Sequence, residues 1–224
     1  MAAVVAFDLD DTLYKELDFV KSGYKALAQL VAPDGESRAY AYELMLNAYN
    51  TKENPVDALR AEFPDFSVEE LVELYRIHYP ELTLSEEVKD ILNQLHNEDV
   101  HLALITDGRS VTQRNKIAAL GLESFFGADI FISEEVGADK LQPQSFAELQ
   151  CLYPGATEFY YVGDNPAKDF YQANRLGWHT VCIKGTTDNV HPQDIAVADE
   201  YKPQVTVCSI AELPQLLMKK IKTI

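Results

Sequence analysis

Cysteine is scarce in this chain. Its 224 residues include three, Cys151, Cys182 and Cys208, an odd number without CxxC spacing, which excludes a disulfide scaffold and a thiol-based zinc or redox motif. They read as reduced, buried, small side chains in a reducing compartment. The five histidines, at 78, 96, 101, 179 and 191, show no metal-ligand spacing. Basic residues are also few. The 19 Lys and Arg stand against 36 Asp and Glu, a net charge of −17. That balance argues against nucleic acid or an anionic membrane as partner. It leaves a small anionic substrate open, because a bound cation and a few local lysines can reverse the field inside a cleft. No apolar run is long enough to span a bilayer. The start, Met1 to Phe7, lacks a basic leader and runs into Asp8, so no signal peptide is expected and the cytoplasm is the expected compartment.

What is present is an ordinary globular composition, 47% apolar and 25% charged, in a chain long enough for one domain with an inserted subdomain. An apolar β-like run, Val4 to Phe7, leads into Asp8-Leu9-Asp10-Asp11-Thr12. Alternation along a strand directs Asp8 and Asp10 to one side if the extended geometry persists. Like charges so close raise a carboxyl pKa unless a cation intervenes, and a hard dication prefers carboxylate oxygens. Read alone, the same turn is also compatible with an acidic helix cap formed by Asp11 or Thr12.

The rhythm then turns helical. Leu17, Val20, Tyr24, Leu27, Ala28 and Val31 recur at three- and four-residue steps. Further helices are expected over 37–49, 56–63, from the Ser67–Glu70 capping box through Tyr79, and from Ser85 through Leu95. Beyond His101, strands at 102–105, 129–132, 158–162, 179–183 and 205–207 alternate with helices at 110–120, 143–153, 166–176 and 210–221. Gly121 and Gly177 are the expected stops of two of these helices. This pattern predicts an α/β fold: a doubly wound parallel sheet with a Rossmann-like core. The core spans 1–14 and 86–224, and an all-helical insertion spans roughly 15–85. Trp178 reads as core.

In such sheets ligands bind at the carboxyl ends of strands. Each polar cluster of this chain follows a predicted strand. They are Asp8, Asp10 and Thr12; Thr106-Asp107-Gly108; Asp139-Lys140; and Gly163-Asp164-Asn165 with Asp169. The set suits phosphoryl transfer through an aspartyl phosphate. It offers a carboxylate nucleophile, a magnesium site to offset repulsion, and a second carboxyl for proton transfer. Thr106, the Asp107 and Gly108 amides and Lys140 supply donors for the phosphoryl oxygens.

These residues resemble the four motifs of the haloacid dehalogenase-like hydrolase superfamily. Asp8, Asp10 and Thr12 match DxDx(T/V). Thr106 and Lys140 match the Ser/Thr and Lys of the second and third motifs, and Gly163, Asp164 and Asp169 match GDxxxxD. Leu141 stands where the family usually has a proline after the lysine, and Asp11 where many relatives have glycine. The resemblance implies that Asp8 is the nucleophile and Asp10 the general acid/base. Mg2+ would be held by Asp8, the Asp10 carbonyl oxygen and Asp164, with Asn165 and Asp169 behind them. Thr106 and Lys140 would hold the phosphoryl group, and the insertion would be a cap. An acid at position 10 points to phosphate esters, since the founding dehalogenases lack it. The expected activity is therefore phosphatase action on a small phosphorylated metabolite, by a monomer or homodimer. A phosphomutase on the same core is the alternative, and a phosphoaspartate regulatory module is a further one. None of the lysines and tyrosines of the insertion, Tyr14 to Tyr79, is assigned to specificity.

Overall fold

The computed structural model describes residues 2–98, 100–185 and 189–221. Strand β1 (Ala2–Phe7) is followed by four helices, α1 (Glu16–Val31), α2 (Gly35–Asn50), α3 (Pro55–Glu62) and α4 (Val68–Ile77). Helix α5 (Glu86–Asn97) returns the chain to β2 (Val100–Thr106). The remainder alternates: α6 (Ser110–Leu120), α7 (Glu123–Phe126), β3 (Ile130–Ile132), α8 (Ser133–Val136), α9 (Gln144–Leu152), β4 (Ala156–Gly163), α10 (Tyr171–Arg175), β5 (His179–Ile183), β6 (Val205–Val207) and α11 (Leu213–Ile221).

All neighbouring strands run parallel in the order β3-β2-β1-β4-β5-β6. The chain winds outward from β1 on one side, then crosses to β4 on the other. The topological switch point therefore lies at β1, where a doubly wound sheet opens a crevice at its carboxyl edge. Successive β1 residues feed opposite layers, as the period of two demands. Val5 and Phe7 join one buried cluster with Leu102, Leu104 and Val162. Val4 and Ala6 join the other, with Ile105, Phe146 and Trp178. Trp178 stacks on Phe159 with ring centroids 5.0 Å apart.

Helices α1 to α4 bury a separate apolar cluster built on Val20, Leu27, Met45, Leu59 and Leu71. Three of these helices start on side-chain caps, and the box at Ser67 is the one expected from the sequence. Asp34 accepts from the Ser37 amide, Asn54 from Val56, and Ser67 with Glu70 forms a reciprocal capping box. The insertion also docks on the core through α6. Thr112 Oγ1 donates to the Arg76 carbonyl at 2.9 Å, and Asn115 Nδ2 to those of Ile77 at 2.9 Å and His78 at 3.2 Å.

Three expectations need correction. The helix foreseen over 166–176 is α10 alone, because residues 166–170 form a turn drawn in by the Asn165 and Asp169 side chains. Helix α4 ends at Ile77, where His78 turns extended, so Tyr79 lies beyond it and is exposed. Only Cys182 is buried; Cys151 at the end of α9 and Cys208 after β6 are exposed.

Candidate active site

The β1 ladder continues one residue past the strand, with the Asp8 amide donating to the Val162 carbonyl at 2.8 Å. The chain then turns sharply. Leu9 and Leu13 are buried, and the Leu13 amide closes onto the Leu9 carbonyl at 3.0 Å. Asp11 takes a left-handed φ of 55°, a conformation that Asp tolerates better than most side chains. Its carboxylate accepts from the Glu16 amide at 3.1 Å and the Val190 amide at 2.8 Å. Asp11 thus caps the start of α1 from outside the helix, while the residue just before the helix, Lys15, makes no side-chain cap.

Asp8 and Asp10 line the same cavity, of about 100 Å3, but are held by different lysines. The Lys140 ammonium lies 2.5 Å from Asp8 Oδ1 and 2.9 Å from Asp169 Oδ1. Lys140 is 5% exposed. Burial works against its charge, but Asp169 and Asp8 outweigh this and hold its pKa well above the ordinary lysine value. The other oxygen of Asp169 accepts the amides of Asp164 at 3.0 Å and Asn165 at 2.8 Å. The Asn165 side chain accepts the Ala167 amide, which completes the turn. Gly163 is required here. A Cβ at that position would stand 2.4 Å from Asp169 Oδ2, so a side chain would push this carboxylate out of place.

The carboxylates of Asp8, Asp164 and Asp169 are all buried and bring oxygens within 4.8 Å of one another. One ammonium faces three carboxylates and bonds those of Asp8 and Asp169, so full ionisation would leave an excess of two negative charges in a buried cluster. Burial raises the Asp8 carboxyl well above its usual range; Lys140 opposes this, and Asp169, Asp164 and Asp10 add to it. Asp164 is pushed up to about 8 by burial, then by the Asp169 and Asp11 charges. A dication with carboxylate ligands fits this donor set, because it would relieve the repulsion and restore the ionised forms.

Asp10 has a different environment. Lys116 Nζ lies 2.8 Å from Asp10 Oδ1, Gln113 Nε2 donates to Asp10 Oδ2 at 3.1 Å, and the Tyr14 hydroxyl donates to Oδ1. Burial would raise the Asp10 carboxyl, yet the Lys116 charge and these hydrogen bonds hold it below the ordinary range. Gln113 also donates to Thr106 Oγ1 at 2.7 Å. Since that bond uses the Thr106 oxygen as acceptor, its own O–H remains free to donate into the cavity.

The strand-end clusters therefore converge as expected. Thr106, Asp107, Asn165 and Asp169 line the cavity with Asp8, Asp10, Lys140 and Asp164. Asp107 accepts the Lys140 amide at 3.1 Å, which anchors the loop that carries that lysine. Gly108 is not among the residues lining the cavity, and its amide donates to Ser133 Oγ at 2.9 Å. Thr12 is buried, its hydroxyl without a hydrogen-bond partner among the described residues.

Sequence reasoning passed over Gln113 and Lys116. Their signal was present: with Ile117 and Leu120 they occupy the buried positions of α6 at helical spacing. Polar residues in an inward-facing stripe indicate a buried polar function. Glu16, Lys168 and His191 also line the cavity without having been singled out for it. The Glu16 carboxyl is pushed up to about 7 by burial and then by the Asp10 charge. A larger cleft of about 340 Å3, bordered by Thr12, Lys15, Ser85 and Ser209, includes neither buried lysine.

This arrangement, a carboxylate pair at the first strand of a Rossmann-like sheet answered by Thr, Lys and an acidic turn, defines a hydrolase of one known type. The chain belongs to the haloacid dehalogenase-like hydrolases, whose family model matches residues 5–183. It is 28% identical over 220 residues to the glyceraldehyde 3-phosphate phosphatase of Methanopyrus kandleri, covering 87% of this chain and 89% of that one. It is 32% identical over 139 residues to the phosphoserine phosphatase of Thermus thermophilus, covering 62% of this chain and 51% of that one. Among solved structures it resembles the magnesium-bound HAD-hydrolase YfnB of Bacillus subtilis, with a TM-score of 0.65 and 20% identity. That match covers 96% of this chain and 97% of YfnB, and speaks to the fold. Among the described residues, no helix is long and apolar enough to cross a membrane.

Proposed function

We propose that this protein is a Mg2+-dependent phosphomonoester phosphatase that transfers the phosphoryl group of a small metabolite to Asp8 and then to water. One observation carries the reading. The carboxylates of Asp8 and Asp169 share a single buried ammonium, and with that of Asp164 they lie close enough together to hold a cation. Asp8, Asp164 and the Asp10 carbonyl would hold Mg2+, with Asp169 and Asn165 fixing the turn behind them. A dication bound there supplies the positive charge that lets a carboxylate approach an anionic phosphate.

The chain's own groups account for the remaining steps. Asp10, ionised in the free site, takes up a proton as the anionic phosphate raises its pKa. It delivers that proton to the leaving oxygen as Asp8 attacks phosphorus and the bond to that oxygen breaks. Asp10 then takes a proton from the water that attacks the phosphoaspartate, releasing inorganic phosphate and restoring Asp8. The Thr106 hydroxyl and the Lys140 ammonium hold phosphoryl oxygens as charge builds on them. Residues 15–85 act as a lid that excludes bulk water during the first step.

For the substrate we favour a short phosphorylated polyol or aldehyde such as glyceraldehyde 3-phosphate. Support comes from the likeness to the Methanopyrus kandleri phosphatase over most of both chains and from a cavity of only about 100 Å3. The test is phosphate release from glyceraldehyde 3-phosphate with Mg2+, comparing the native chain with Asp8→Asn. Turnover retained by the variant would remove Asp8 from the nucleophile's role. An isomerised product without free phosphate would indicate a mutase.

A further inference from the structure

Helix α6 serves two partners at once. Thr112 and Asn115 capture the carbonyls at the end of α4, as described above. Their immediate neighbours on the helix, Gln113 and Lys116, hold Asp10. Lys116 belongs to both sets. Its ammonium pairs with Asp10 on one side and lies 4.3 Å from the ring centroid of Phe19 on the other. Phe19 is a buried residue of α1, in the helical insertion, and its ring packs on that of His78 with centroids 4.9 Å apart. Roofed by this aromatic pair, Lys116 is 3% exposed.

That roof determines how firmly Asp10 is held. A lysine–carboxylate pair in water is weak and mobile, whereas the same pair stripped of water is strong and fixed in direction. An aromatic face suits a desolvated ammonium and replaces part of its lost hydration. Lifting α1 away would expose Lys116 to solvent and return the pair to the weak regime. Phe19 lays an aromatic face of the insertion against the ammonium, so seating the insertion and fixing Asp10 are mechanically linked.

We propose that Lys116 is a positioning residue that couples seating of the helical insertion to the orientation of the Asp10 carboxylate. Phe19 closing over its ammonium is the contact that transmits the coupling. This rests on the reading that Asp10 handles the protons of a two-step phosphoaspartate reaction. It predicts a selective defect. With p-nitrophenyl phosphate the first step forms the Asp8–phosphorus bond and expels nitrophenolate, which leaves with its electron pair and needs no proton. The second step forms the bond from water oxygen to phosphorus and breaks the Asp8–phosphorus bond. The proton of that water passes to Asp10, so only this step requires Asp10 to be aimed.

The experiment is rapid-quench turnover of p-nitrophenyl phosphate with Mg2+ by the native enzyme, Lys116→Met and Phe19→Leu. For Lys116→Met we expect a nitrophenolate burst near one equivalent of enzyme, accumulating phosphoprotein, and steady-state turnover down about 10- to 100-fold, part of what a general base contributes. Phe19→Leu, which keeps both charges and acts from the other side, should show the same pattern more weakly. A burst-free decline of both phases in the two variants would mean general structural damage and overturn the proposal. So would native-like kinetics in both. Should Lys116→Met fail to fold, Phe19→Leu decides alone. If Asp8→Asn is inactive and neither variant gives a burst, the coupling fails while the phosphatase reading stands; an active Asp8→Asn overturns both.

Discussion

The Lys140 ammonium lies 2.5 Å from Asp8, the first carboxylate of the chain, although 132 positions separate the two residues. It also bonds Asp169 on a third strand-end loop at 2.9 Å, so one buried cation ties together three segments that meet only in the folded sheet. Replacing it by methionine, Lys140→Met, leaves Asp8, Asp164 and Asp169 without an internal counter-charge. The expected cost to the metal-free protein is about 3–5 kcal/mol, the penalty for breaking a buried pair from one side. Thermal unfolding in EDTA and in excess Mg2+ checks this, and Mg2+ should recover part of the loss.

The pH dependence of stability follows from the same cluster. Asp164 has its carboxyl pushed up to about 8 in the metal-free fold, and that of Asp8 is raised as well. A carboxyl raised on folding keeps its proton in the native state while the unfolded chain has lost it. Stability therefore falls as pH rises between the unfolded value near 4 and about 8. In EDTA the melting temperature should be lower at pH 8.5 than at pH 5.5. Mg2+, by favouring the ionised carboxylates, should shrink that difference. A pH profile unchanged by Mg2+ would contradict a metal at Asp8 and Asp164.

Gly163 gives a test of the turn that bears Asp169. A methyl group there would meet Asp169 Oδ2 at 2.4 Å and its Cγ at 2.8 Å, so Gly163→Ala must displace the carboxylate that fixes both the Asp164 amide and Lys140. Mg2+ affinity, read by titration calorimetry, should weaken about 10- to 100-fold, the usual effect of disturbing groups behind a metal's ligands. Unchanged affinity would mean that Asp169 has no part in shaping the site.

Asp11 joins the first turn to the start of the helical insertion by accepting the Glu16 and Val190 amides. Asp11→Ala removes both acceptors and places alanine at a positive φ. Stability should fall by about 1–2 kcal/mol, as for loss of a strong helix cap. Denaturant unfolding measures it. A loss below a few tenths would show that water replaces the carboxylate at both amides.

How far the sequence reaches can be judged residue by residue. Asp8, Thr106 and Asp164 were legible because each ends or closely follows an apolar run, and Lys140 because it lies in the segment beyond another; a parallel sheet gathers such strand ends on one edge. The limits of the short α10 were not legible, since it depends on the Asp169 side chain bonding amides four and five residues back. The bond from the Gly108 amide to Ser133 was not legible either, because the two are 25 positions apart in sequence. Lys116 and Gln113 stayed hidden for a related reason. Their stripe on α6 could be read as inward-facing, but not as aimed at Asp10, which is 106 and 103 residues distant. Order along the chain reveals which groups gather at the sheet edge, and the pairing among them needs the fold.

The central claim is a covalent one, so it is best tested by trapping the intermediate. The enzyme, mixed with substrate and Mg2+, is quenched in acid within its first turnovers, digested and mapped by mass spectrometry. A phosphoryl group on Asp8 of the native chain, absent from Asp8→Asn, is the predicted result. Rapid phosphate release with no phosphoryl group on Asp8 at any quench time, or with the group on another residue, would contradict it.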